Sequence, residues 1–164
     1  MRALAASKPC GHFLELGTGC GLGTSWMLEG MDDTSTLISI DTDERVQSIA
    51  RDELGADPRL TFVLTDGGTF LEQCTDRFDL IYADALPGKF THLDDALGLL
   101  APGGIYLVDD LLSQPNWPEG HDLKVREYKQ RLRTLEGFAV TELDWSTGLL
   151  LCVKRGSSAV QTSA

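Results

Sequence analysis

The chain has 164 residues, 42% apolar and 24% charged, with a formal net charge of −11. This length suits one domain around a single core, and the acidity argues against nucleic acid or an anionic membrane as a partner unless a basic patch is hidden. The one concentration of basic residues, Lys124 to Arg133, is interleaved with Glu127 and apolar positions and reads as a solvated helix face.

Cys10, Cys20, Cys74 and Cys152 show no CxxC spacing, which argues against a zinc site and a disulfide framework. Reduced thiols in a cytoplasmic protein are expected. The start, "MRALAASKPCG", lacks the apolar core of a signal peptide. No segment approaches the roughly 20 apolar residues of a membrane span. The small, polar stretch 155–164 is expected to fray, leaving a core over 10–154 within a single domain, 1–164.

In chain order, "HFLEL" (12–16), "TLISI" (36–40), "LTFVL" (60–64), "FDLIYA" (78–83) and "GIYLV" (104–108) are near-continuous apolar runs, as strands buried on both faces require. Helical stripes lie between and after them. Val46, Ile49, Ala50 and Leu54 share a face, with Thr42 or Asp43 as cap and Gly55 as stop. Phe90, Leu93, Leu97 and Leu100 form a second stripe, stopped by Pro102-Gly103-Gly104. Val125, Tyr128, Leu132 and Leu135 form a third, ended by Gly137. Strands alternating with helices predict an α/β fold with a parallel sheet. "FAVTEL" (138–143) and "LLLCVK" (149–154) are too close in sequence for a parallel crossover and predict an antiparallel pair.

In an open parallel sheet, ligands sit at the carboxyl ends of the strands. After the first strand comes "ELGTGCGLGT" (15–24); after the next four come Asp41, Asp66, Asp84 and the pair Asp109-Asp110. Gly17, Gly19, Gly21 and Gly23 let the backbone approach a ligand. They alternate, and Leu22 breaks a GxGxxG fingerprint, which weakens a pyrophosphate-binding reading. Asp41 sits where a carboxylate can accept from both hydroxyls of a ribose. A nucleoside without a pyrophosphate fits this set better than NAD.

The ordered series "FLELGTGCGLGT", "ISIDTDERV", "TDGGTFL", "FDLIYADALPGKF" and "LLAPGGIYLVDDLL" resembles class I S-adenosylmethionine (SAM)-dependent methyltransferases, and within them the catechol and caffeoyl-CoA O-methyltransferase group. The resemblance spans residues 10–154. It implies a Rossmann-like doubly wound sheet, mostly parallel, with an antiparallel C-terminal strand pair. It implies methylation of an oxygen on a small-molecule acceptor, with Mg²⁺ or another divalent cation assisting. By the same resemblance, Glu15, Gly17 and Gly19 shape the loop under the methionine part of SAM. Asp41 holds the ribose, Asp66 the adenine amino group, and Asp84 lies beside the sulfonium. Thr18, Thr42 and Gly67 are further cofactor contacts. Asp84, Asp109 and Asp110 fall where the metal-dependent members hold their cation.

The chain departs from the group in several places. Asp110 stands where Asn is usual, and Gly23, followed by Thr24, where a Ser often meets the SAM carboxylate. The catalytic lysine of the catechol enzymes corresponds to Pro87; Lys89, two residues on, is the candidate base, with His92 and His121 as others. His92 is expected on a helix surface. The loop "SQPNWPEGHDLK" (113–124) is either a lid that brings Trp117 to an aromatic substrate or a surface connection with a packed Trp. Asp110 is either a third metal ligand or a solvent-facing or capping residue beside a functional Asp109. The N-terminal helices that cover the site in that group are nearly absent here, which fits either a minimal member or a shortened chain and leaves the oligomeric state open, with a homodimer as one option. A non-catalytic SAM- or nucleoside-binding protein and an NAD-dependent oxidoreductase stay open as alternatives.

Overall fold

The computed structural model describes residues 1–156. From Ser157 onward, the stretch expected to fray lies outside the described residues. The elements run α1 (Arg2–Ala6), β1 (His12–Leu16), α2 (Leu22–Gly30), β2 (Thr36–Asp41), α3 (Glu44–Leu54), β3 (Leu60–Leu64), α4 (Gly67–Gln73), β4 (Phe78–Ala83), α5 (Leu93–Gly98), β5 (Leu100–Val108), α6 (His121–Arg133), β6 (Phe138–Leu143) and β7 (Leu149–Lys154).

Seven strands form one sheet in the order β3-β2-β1-β4-β5-β7-β6. β1 pairs in parallel with β2 and β4, β2 with β3, and β4 with β5; β7 pairs antiparallel with β5 and β6. Side chains alternate between two cores, as the two-residue period of a strand dictates. Leu14, Leu16, Ile81, Ala83, Tyr106 and Val108 point to the side of α4, α5 and α6. Phe13, Leu37, Leu80, Tyr82, Ile105 and Leu107 point to the side of α1 and α2. That double burial explains the unbroken apolar runs. No helix among the described residues is long and apolar enough to cross a membrane.

Some local expectations are revised. β5 begins at Leu100, because Leu100 pairs with Phe78 and Ile105 with Leu80; the Pro102-Gly103-Gly104 punctuation is a bulge within the strand. The stripe expected over Phe90 to Leu100 shrinks to α5, with Phe90 in the preceding turn. Asp43, not Thr42, caps α3 by accepting from the Arg45 amide. Ile49 is exposed, and Gln47 takes the buried place, its Nε2 donating to Thr18 Oγ1 at 3.1 Å and to Val63 O at 3.3 Å. The glycine loop is shorter than 15–24: it ends at Gly21, and Leu22, Gly23 and Thr24 form the first turn of α2.

Candidate functional site

The chain runs from β1 outward through β2 to β3, then returns to place β4 on the other side of β1. A crevice opens at such a reversal of strand order. Here the ends of β1 and β4 meet: the Asp84 amide donates to Leu16 O at 2.9 Å. Gly17 adopts φ 103, and a Cβ there would lie 2.8 Å from Asp84 O. Both the left-handed backbone and the close approach demand glycine.

A cleft of about 550 Å³ lies over this junction. Gly17, Thr18, Gly19, Asp41, Thr42, Asp66, Gly67 and Asp84, all proposed from sequence, line it. Asp41 ties the glycine loop to the β2 end: its Oδ2 accepts from the Gly19 amide at 2.8 Å and its Oδ1 from the Asp43 amide at 2.9 Å. A carboxylate has about four acceptor positions, so roughly two remain for a ligand. Asp66 caps α4, its Oδ1 accepting from the Thr69 amide at 2.9 Å. Those bonds, the Thr69 amide first, hold its carboxyl below the usual range. Oδ2 of Asp66 is free of these cap contacts.

Two proposed cofactor contacts lie differently. Glu15 is fully buried beneath the loop and does not line the cleft. Its Oε2 accepts from Thr24 Oγ1 and Ser39 Oγ, each at 2.5 Å, while Oε1 has no partner and faces Gly23, where a Cβ would collide with it. Burial pushes this carboxyl up to about 7, against the opposing hydrogen bonds from Ser39 and Thr24. Thr18 turns its hydroxyl inward to Ser39 Oγ at 2.7 Å, so its hydroxyl supports the loop from beneath. Ser39 and Gln47, both buried in this network, carry no signal in the sequence pattern. Thr65, Leu86 and Pro87, also unforeseen, line the cleft.

Asp84 is shared with a second group. Carboxylate oxygens of Asp84, Asp109 and Asp110 lie within 4.8 Å of one another. Burial raises the Asp84 pKa, and the neighbouring Asp109 charge raises it further. Asp110 has φ 55, a left-handed conformation that Asp and Asn tolerate better than most side chains, so aspartate meets the backbone requirement where the resemblance has Asn. Asp109 Oδ2 accepts from Tyr82 OH at 2.6 Å, while its Oδ1 is buried without a donor. Burial, together with Asp109, keeps the Tyr82 phenol protonated far above its ordinary range. Lys89 is 6% exposed, and its Nζ donates to Asp109 O at 2.6 Å. Burial lowers the Lys89 pKa, while Asp109, Asp110 and Asp84 pull it back up.

The other candidate bases fall elsewhere. His92 is not on a helix face: it is the residue before α5, at φ 54, with its ring against Gly68 and Nε2 3.3 Å from Glu72 Oε1. His121 opens α6, its ring packed edge-on to Trp117 at 4.7 Å and Phe90 at 5.4 Å. Trp117 packs against the core, so the packed-Trp reading holds over the lid in this structure.

A family profile described as a methyltransferase domain matches residues 14–111, more than half of the chain. The chain belongs to this methyltransferase-domain family. A Mycolicibacterium vanbaalenii protein, named provisionally as an O-methyltransferase, is 33% identical over 103 residues, covering 58% of this chain and 45% of its own length. A trans-aconitate 2-methyltransferase of Methylobacterium radiotolerans is 37% identical over 109 residues, covering 62% of this chain and 40% of its own. The methyltransferase domain described here thus spans less than half the length of these two relatives. Among solved structures, an O-methyltransferase from Bacillus cereus in complex with S-adenosylhomocysteine (SAH) superposes with TM-score 0.81 at 18% identity, covering 94% of this chain and 78% of that one. TomG from Streptomyces achromogenes, an O-methyltransferase in complex with SAM, superposes with TM-score 0.78 at 21% identity over the same shares. At these identities the likeness establishes the methyltransferase fold.

Proposed function

We propose that the protein transfers a methyl group from SAM to an oxygen of a small-molecule acceptor. The observation that carries this reading is the sharing of Asp84 between the cleft and the carboxylate group. A nucleoside held over the β1–β4 junction then ends beside a polar cluster suited to a hydroxylated acceptor. SAM supplies the electrophilic methyl group. Asp41 accepts from the ribose hydroxyls with its two remaining positions, Asp66 Oδ2 accepts from the adenine amino group, and the loop Gly17–Gly21 lets the backbone close on the amino-acid end. The chain's contribution to rate is alignment of the acceptor oxygen and exclusion of water.

The residues at the acceptor side fit a hard divalent cation such as Mg²⁺. Three carboxylates converge, and Asp109 Oδ1 is buried without a hydrogen-bond donor. Asp84, Asp109 and Asp110 would hold the ion, which would acidify and orient an acceptor hydroxyl. Lys89, with its lowered pKa, stands beside them to accept that proton. The net charge of −11 supports a small-molecule acceptor over nucleic acid, and the unpaired thiols support a cytoplasmic setting. A homodimer completing the acceptor side belongs to the same reading.

The test is methyl transfer from radiolabelled SAM to a panel of hydroxylated aromatic and carboxylate acceptors, with Mg²⁺ and with excess EDTA. Transfer to a hydroxyl that EDTA abolishes supports both parts. Transfer unaffected by EDTA removes the cation and leaves the base role to Lys89. SAM binding with no transfer to any acceptor favours a binding protein.

A further inference from the structure

We propose that Tyr82 is a positioning residue, which fixes the Asp109 carboxylate for the cation and is accommodated by the absence of a side chain at Gly23. The inference rests on the reading of Asp84, Asp109 and Asp110 as a cation site.

Tyr82 lies in β4, two residues before Asp84, so both leave the strand on the same face. It is 4% exposed, and its ring belongs to the core under α2. A Cβ on Gly23 would stand 3.0 Å from Tyr82 Cε1 and 3.5 Å from Cδ1. The nearer of these is tighter than ordinary contact, so any side chain at 23 would press on the ring. With Gly23 bare, the ring keeps its place and the phenol reaches Asp109 Oδ2 at 2.6 Å. A charge-assisted hydrogen bond of this length is among the stronger ones.

The bond sorts the two Asp109 oxygens. Oδ2 is taken by Tyr82, and Oδ1, without a donor and 4.0 Å from Lys89 Nζ, is left to ligate. Without the hydroxyl, Asp109 would be free to rotate about its side-chain bonds, and Lys89 could draw either oxygen toward itself. Groups that orient a metal ligand in this way typically change affinity by about 10- to 100-fold when removed. Tyr82 also touches both halves of the site, its ring meeting the first turn of α2 and its hydroxyl the cation side.

The experiment compares wild type and Tyr82→Phe by calorimetric titration with Mn²⁺ and, separately, with SAH. Thermal unfolding in EDTA is recorded for each. Phenylalanine keeps the ring against Gly23, so the core is not at stake. The expected result is a Mn²⁺ affinity lowered about 10- to 100-fold, with SAH affinity within twofold of wild type. A purely structural role would instead shift unfolding and SAH binding and leave the Mn²⁺ affinity within twofold, which would overturn the positioning role while the cation site stands. Failure of the wild type itself to bind Mn²⁺ would overturn the cation site, and this role with it.

Discussion

Lys89 Nζ lies 2.6 Å from the backbone oxygen of Asp109 and 4.0 Å from the same residue's Oδ1. Whenever it is protonated, Lys89 thus faces three carboxylates and partly offsets their repulsion. Lys89→Met should destabilise the fold by about 2 kcal/mol, below the usual cost of breaking a buried pair because Asp109 is partly solvated. The loss should be larger at pH 8 than at pH 6, where the Asp84 carboxyl, pushed up to about 7 chiefly by burial, is largely protonated and the repulsion is relieved. Urea unfolding at the two pH values checks this, and an equal loss at both would remove the electrostatic explanation.

Glu15 makes stability pH-dependent in a defined direction. Its folded pKa of about 7 lies above its ordinary value of 4.5. The folded state therefore holds this proton more tightly than the unfolded chain does. The stability this gives is fully present below pH 4.5 and is lost as pH rises through about 7. The loss across that window is about 3 kcal/mol. Glu15→Gln cannot titrate and should lack that decline. Denaturant midpoints at pH 5 and pH 7.5 for both proteins measure the difference; parallel profiles would contradict it.

Asp66 caps α4 with Oδ1, and in the function proposed above it also offers Oδ2 to the adenine. Serine is as good a cap as aspartate. Asp66→Ser should therefore unfold near the wild-type temperature and bind SAH about tenfold more weakly, for want of one charge-assisted bond of about 1.5 kcal/mol. Asp66→Ala should lose the affinity and a further ~1 kcal/mol of stability. Equal SAH affinity in wild type and Asp66→Ser would take the residue out of the cofactor site.

Tyr106 OH donates to Gly88 O at 2.7 Å and meets Tyr128 OH at 2.5 Å, both hydroxyls buried. This pair joins β5 and α6 to the turn that carries Lys89. Tyr106→Phe orphans Gly88 O and Tyr128 OH together and should cost about 2 kcal/mol; Tyr128→Phe leaves the bond to Gly88 intact and should cost about 1 kcal/mol. Thermal unfolding ranks the two variants, and the reverse order would show that Gly88 finds another donor.

The sheet was legible in the sequence because strands buried on both faces leave unbroken apolar runs. The spans 12–16, 60–64, 78–83, 138–143 and 149–154 match β1, β3, β4, β6 and β7 to the residue. The start of β5 is not legible, since Pro102 and Gly103 punctuate a bulge as readily as a loop. Helix faces were less legible: Ile49 and Gln47 exchange places because a buried Thr18 hydroxyl needs a donor, a long-range demand that periodicity does not encode. Asp41, Asp66 and Asp84 could be found because strand ends mark the ligand edge. Tyr82 could not, because a tyrosine within an apolar strand reads as core until its hydroxyl is seen to meet Asp109 across two strands.

The most direct measurement is a calorimetric titration of SAH, with NAD in parallel, into wild type and Asp41→Ala. Asp41 anchors the Gly19 amide, and in the proposed function its remaining acceptor positions hold the ribose, so the variant should lose a charge-assisted contact and the loop's tether together. One SAH should bind each wild-type chain, NAD should not compete, and Asp41→Ala should bind one to two orders of magnitude more weakly, following from about 1.5–3 kcal/mol for such a bond. Undiminished SAH binding by Asp41→Ala, or tight NAD binding with none of SAH, would contradict a SAM site over the β1–β4 junction.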